Sequence, residues 1–98
     1  MPTVWQDGFE WDTEKAAGNE AKHGVNFAEA ATVFVDDYFI VKRDPDHSFV
    51  EQRYLLLGRS AEGRYLIVAY TERRTATRLI SAREMTPRER RVYEHQAE

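Results

Sequence analysis

Ten arginines and no lysine supply the basic side chains of residues 53–98. A guanidinium presents a flat fork of N–H donors that matches a phosphate bidentately, so this half is suited to phosphate contact. Arg83 is the first choice for chemistry. It follows Ser81 by two residues in the strand-like run Thr77–Arg83, so on regular extended chain the two share a face. A cation held ready where negative charge develops commonly supplies the largest catalytic term, and losing one such donor costs about 2.7–4 kcal/mol. Arginine stays protonated, so a proton must travel by another group. His23, with Lys22 beside it, is the main candidate, and His47 in the Asp44-Pro45-Asp46-His47 turn competes with it.

Each candidate has a plainer explanation. An ion pair with an acid from the first half would account for Arg83. Lys22 and His23 close a helix, where cations meet open carbonyls and the favourable end of the dipole. Arg73 and Arg74 sit on a turn between two strands, where function and simple solvation are equally at home. Arg53 and Arg59 share a strand face and line one groove with Arg83 if the registers agree. Arg78 lies five residues before Arg83, so a regular strand puts it on the opposite face unless a bulge intervenes. Tyr70 contacts a phosphate only if its ring faces that groove; otherwise it is core.

The elements that must position these groups follow from pattern. Arg64 to Thr71 is apolar at nearly every position, as a strand covered on both faces would be, and is placed at the centre of a sheet. Thr77–Arg83 pairs with it, Ile80 and Ala82 on one face and Leu79, Ser81 and Arg83 on the other. Upstream, residues 1–8 form a lead-in on which Trp5 docks, and Phe9 to Trp11 is a short strand. Asp12 caps a helix that runs to His23 and stops at Gly24; Asn26 with Glu29 opens a second helix to about Phe34, stapled by Val25 and Ala30. Strands follow at 38–42 and 52–59. Thr86, Pro87 and Glu89 form a capping box for a terminal helix over 86–98 whose only large apolar residues are Val92 and Tyr93, offered to a partner. The expectation is one α+β domain over residues 1–98, ordered β-α-α-β-β-β-β-α, with a mainly antiparallel sheet.

Composition removes several functions. The 98-residue chain has no cysteine, hence no disulfide or thiolate metal site, which fits a cytoplasmic protein. Its three histidines are scattered, so no metal and no cofactor are expected. No apolar run reaches the roughly 18 residues of a membrane span, and no signal peptide is evident. No glycine-rich phosphate loop or nucleophile elbow occurs. Residues 1–52 hold eleven Asp/Glu against four Lys/Arg, whereas residues 53–98 hold ten Arg against six Glu, an acidic half joined to a basic one.

Two separated stretches resemble one family. Phe9-Glu10-Trp11-Asp12, Lys15, Asn19, Lys22-His23-Gly24-Val25, Phe27 and Glu29-Ala30 resemble the N-terminal signature of the BrnT toxins. Tyr70-Thr71-Glu72-Arg73, the run from Arg78 to Arg83, and Glu89-Arg90 with Tyr93 resemble the C-terminal one. The resemblance implies a RelE-like fold and a metal-independent endoribonuclease. It also implies neutralisation by a BrnA-like antitoxin with a ribbon-helix-helix domain, through which alone DNA is reached. On this reading Arg83, Arg73, His23 and Lys22 are catalytic candidates, Arg53, Arg59 and Tyr70 bind RNA, and Val92, Tyr93 and the acidic half meet the antitoxin. Arg74 departs from a frequent glycine, Glu84-Met85 from a more basic or small pair, and the lead-in before Phe9 is longer than usual. The alternative is a binding module that keeps only the antitoxin surface.

Overall fold

A computed structural model of the chain describes residues 2–47 and 51–96. It is an α+β domain with a six-stranded sheet in the order β1-β2-β6-β5-β4-β3. The strands are β1 (Thr3–Gln6), β2 (Phe9–Asp12), β3 (Ile40–Arg43), β4 (Arg53–Arg59), β5 (Tyr65–Glu72) and β6 (Thr77–Glu84). The helices are α1 (Thr13–His23), α2 (Phe27–Thr32) and α3 (Pro87–Gln96), with a 3-10 turn, Val33–Val35, continuing α2. The only parallel pairing among these strands joins β2 to β6 at Phe9–Thr77 and Glu10–Arg78.

The expected lead-in contains a further strand. β1 pairs antiparallel with β2 through the two-residue turn Asp7-Gly8, both residues at positive φ (51° and 87°). Asp-Gly is the pair that such a hairpin turn favours, and it was there to be read. Trp5 lies on this added strand and is 60% exposed, so it does not dock.

Local signals account for the helices. The Asp12 carboxylate accepts from the Glu14 and Lys15 N–H groups, which holds its pKa below the usual carboxylate range. Gly24 ends α1 in the left-handed conformation, φ 70°. Asn26 caps α2 by accepting from Glu29 N–H. Thr86 and Glu89 form the reciprocal capping box of α3.

One sheet face packs on α1 and α2. Leu56, Leu66, Val68, Tyr70, Leu79 and Ala82 meet Val25, Phe27, Ala30 and Val33 there, with Trp11 at the side. At Gly58 a Cβ would lie 2.6 Å from Val33 Cγ1, so the close approach of β4 to the Val33–Val35 turn requires glycine. Tyr70 belongs to this face, stacked on Tyr54 and edge-on to Phe34. Its expected phosphate contact is therefore overturned, because the ring is core.

The other face is fixed by a bulge. Ala69 pairs with Ser81 but Tyr70 pairs with Leu79, so Ile80 is an extra residue in β6. That keeps the expected faces of Ser81, Ala82 and Arg83 but moves Leu79 and Arg78 to the faces opposite those expected. Leu79 and Ala82 now face the core together, whereas Arg78, Ser81 and Arg83 stand opposite Thr71, Ala69 and Ile67 on the second face.

Candidate functional site

Cross-strand rows organise that second face. Leu57, Ile67 and Arg83 form one row, Leu55, Ala69 and Ser81 the next, and Arg53, Thr71 and Arg78 the third. The middle of the face is thus apolar and arginines stand at its edges. A hollow of about 180 Å³ opens on it, lined by His23, Leu55, Ile67, Ala69, Ser81 and Arg83. Its floor is aliphatic, and its polar rim is one imidazole, one hydroxyl and one guanidinium.

Buried Asn19 brings His23 to this rim. β2 covers only the start of β6, so the β6 edge beyond Arg78 needs other partners for its backbone. Asn19 supplies them. Its Oδ1 accepts from Ala82 N–H at 3.0 Å, and its Nδ2 donates to the Ala82 carbonyl at 2.8 Å. The same Nδ2 donates to the Val25 carbonyl at 3.0 Å. One side chain therefore fixes the backbone between Ser81 and Arg83 and the turn that follows His23.

A second clamp holds that turn from the other side. Arg64 donates to the Gly24 carbonyl at 2.9 Å and makes a forked pair with Glu29 through Nε and Nη2. Ser60 Oγ donates to Glu29 Oε2 at 2.7 Å. Bonding from Arg64 outweighs burial and keeps the Glu29 carboxyl below the usual range. Neither Asn19 nor this pair announced its geometry in the sequence, since each spans at least 35 positions of chain.

Arg83 has a carboxylate partner, but from α3 and not from the acidic half. Its Nη1 and Nη2 donate to Glu89 Oε1 and Oε2 at 2.8 and 2.9 Å, and Nη1 also reaches the Glu84 carbonyl. The Arg83 bond, with help from the Thr86 N–H, pulls the Glu89 pKa down to about 2. The Arg83 side chain remains 41% exposed at the hollow. Arg78 pairs with buried Glu10 at 3.1 Å.

The remaining candidates are dispersed. Arg73 pairs with Glu51 on the surface at 2.9 Å and does not line the hollow. Lys22 is exposed on the last turn of α1, also outside the lining. Arg53 lies in the row beyond the hollow, beside Thr71. Arg59 is at the opposite end of β4, its guanidinium 5.4 Å from the Tyr65 ring centroid. His47 ends the short 3-10 turn Pro45–His47, and its side chain lies outside the described residues.

Helix α3 crosses the far end of this face. Tyr93, expected at an exposed partner surface, is buried: its ring meets Tyr65 edge-on and its hydroxyl donates to Asp36 Oδ2 at 2.6 Å. The helix therefore does bury an apolar residue against its own domain. Val92 is 54% exposed. No described helix is long and apolar enough to cross a membrane.

Residues 11–89 match the family model described as the ribonuclease toxin BrnT of a type II toxin–antitoxin system. The fold matches the 1.1 Å crystal structure of the Brucella abortus ribonuclease toxin BrnT with a TM-score of 0.57 and 24% identity, covering 78% of this chain and 92% of that one. No curated protein matches the sequence. With a family match over most of its length and the same fold, the chain belongs to the BrnT family of ribonuclease toxins of type II toxin–antitoxin systems.

Proposed function

We propose that the chain is a metal-independent endoribonuclease whose reaction centre is the hollow between His23, Ser81 and Arg83, and that a BrnA-like antitoxin with a ribbon-helix-helix domain neutralises it. One observation carries this reading: an imidazole and a guanidinium from distant segments share a single cavity rim. In the reaction the RNA 2′-oxygen bonds to phosphorus as the bond to the 5′-oxygen breaks, leaving a cyclic phosphate and a 5′-hydroxyl. His23 carries one of the two protons that move, off the 2′-hydroxyl or onto the 5′-oxygen, and solvent water exchanges the other. Arg83 stabilises the pentavalent phosphate. The lining contains no carboxylate, and a guanidinium repels a divalent cation, so the donor set suits a reaction without metal. Arg53, one row away, steers the RNA backbone. Lys22 and Arg73 contribute charge at a distance, not chemistry.

The alternative, a module that only binds a partner, is favoured by the engagement of Arg83 with Glu89. Cleavage of end-labelled RNA in EDTA separates the two. Wild type is expected to cleave, and Arg83→Ala to lose about 10²–10³-fold in rate while keeping its circular dichroism. Equal inertness of both proteins at high concentration ends the nuclease reading. Co-purification with the ribbon-helix-helix protein, with and without Val92→Asp, tests the antitoxin and its contact on α3.

A further inference from the structure

The open face carries more cationic surface than the reaction centre uses. Beyond the Arg83–Glu89 pair lies a hollow of about 400 Å³ lined by Lys42, Leu57, Thr86, Arg88, Glu89 and Val92. It shares Arg88 and Val92 with a third hollow of about 500 Å³, whose other lining residues are Arg91, His95 and Gln96. Leu57 stands in the same cross-strand row as Arg83, and Lys42 pairs across from Leu55, which floors the reaction centre. Three hollows therefore adjoin, from His23 through Glu89 to His95.

Their charges are unbalanced. Lys42, Arg88 and Arg91 make no ion pair among the described residues, and the one acid in the lining, Glu89, is taken by Arg83. Arg88, Arg91 and His95 follow at spacings of three and four, which places them along one side of α3.

We infer that this track is a binding site for the single-stranded RNA backbone on one side of the scissile phosphate, with Lys42, Arg88 and Arg91 each taking a phosphate. The inference rests on the nuclease reading and names where the substrate extends. Continuity with the hollow assigned above to the scissile phosphate favours RNA. Val92 is the one exposed apolar residue of the lining, Leu57 being only 2% exposed, so a base gains one contact point and an amphipathic partner helix finds no stripe of apolar residues.

The test is fluorescence anisotropy with fully 2′-O-methylated RNA, which binds without being cut, at lengths of about 12 and about 3 nucleotides over a salt series. Wild type is compared with the double variant Arg88→Gln/Arg91→Gln, both sites being solvent-exposed and each protein checked by thermal melting. For the longer probe the variant is expected to lose about tenfold in affinity, and its slope of log K against log salt to fall by about 1.4, roughly 0.7 for each lost phosphate contact. The shorter probe is expected to bind both proteins alike. Equal slopes, or no binding of the longer probe to wild type, overturn the inference. RNA binding unchanged in the variant while antitoxin co-purification is lost also overturns it, because Arg88 and Arg91 then serve the protein partner that Val92 meets. Because the probe is not cleaved, failure of catalysis and failure of this track are read separately.

Discussion

Two arginine–glutamate pairs of the same chemistry differ in the burial of their carboxylates, their arginine side chains being 34% and 41% exposed. Arg64 and Glu29 close on each other under the β4–β5 turn, where the Glu29 side chain is only 2% exposed and Ser60 and the Gly24 carbonyl take the remaining bonds. Arg83 and Glu89 meet at the rim of a hollow, with side chains 41% and 21% exposed and a capping box as their other company. The first pair is engaged in holding the α1–α2 turn in place, through Glu29 and the Gly24 carbonyl. The second presents a guanidinium to open space. Identical bond geometry therefore separates scaffold from site only when burial and free volume are added to it.

The largest difference is expected in stability. Glu29→Ala leaves the Ser60 hydroxyl and an Arg64 side chain that is 34% exposed without their carboxylate, a loss expected at about 3 kcal/mol, the low end for a broken buried pair. Urea unfolding should show the midpoint falling with little change in slope. Glu89→Ala removes a half-exposed pair and one capping box, and is expected to cost about 2 kcal/mol. Equal losses would mean that the two pairs are both scaffold.

Activity sharpens the same contrast. Glutamine at the third helical position still completes a capping box, so Glu89→Gln removes the charge facing Arg83 and little else. It is expected to leave RNA cleavage within about threefold of wild type, far from the loss expected of Arg83→Ala. A Glu89→Gln protein as inactive as Arg83→Ala would make the pair itself the functional unit.

Acid offers a third probe. The Glu89 pKa is depressed from 4.5 to about 2 by Arg83 and the Thr86 N–H. A depressed carboxyl contributes its stability above the unfolded value and loses it as pH falls through the folded one, so the loss runs from about pH 4.5 to about pH 2. Allowing for the exposure of Arg83, the contribution is on the order of 2 kcal/mol. Thermal melts across that window should show Glu89→Gln with a shallower acid limb than wild type. Glu29 is also depressed, by Arg64 first, so part of the acid limb survives in the variant.

What the sequence disclosed was local. Asp12, Gly24, Asn26 and the Thr86–Glu89 box each act within four residues, and all cap the elements read from them. The β5–β6 hairpin was legible because an apolar run and an alternating one sat either side of a polar turn. The side of β6 that Arg78 occupies was not, because it depends on a bulge at Ile80 set by pairing with β5. Tyr70 and Tyr93 were misplaced for a related reason: a tyrosine pattern does not say which sheet face or helix seat receives the ring. His23 and Arg83 were nameable one by one, but their meeting depends on Asn19, whose bond to Ala82 spans 63 positions.

The smallest expected effect concerns how α3 is held beside Arg83. Two anchors fix the helix, Glu89 in its first turn and Tyr93 one turn later, where burial and then the Asp36 carboxylate raise the phenol pKa. Tyr93→Phe keeps the ring against Tyr65 and removes only the hydroxyl. Asp36 Oδ2 still accepts from the Arg59 N–H at 3.0 Å, so the carboxylate is not orphaned and the loss is expected near 1 kcal/mol. Combining Tyr93→Phe with Glu89→Gln asks whether the anchors act together. If α3 is one rigid body, the double variant should lose about 0.5–1 kcal/mol more or less than the sum of the single losses. Additive losses would mean that each end of the helix is seated by itself. Glu89 could then release Arg83 to a phosphate without unseating Tyr93 from Asp36.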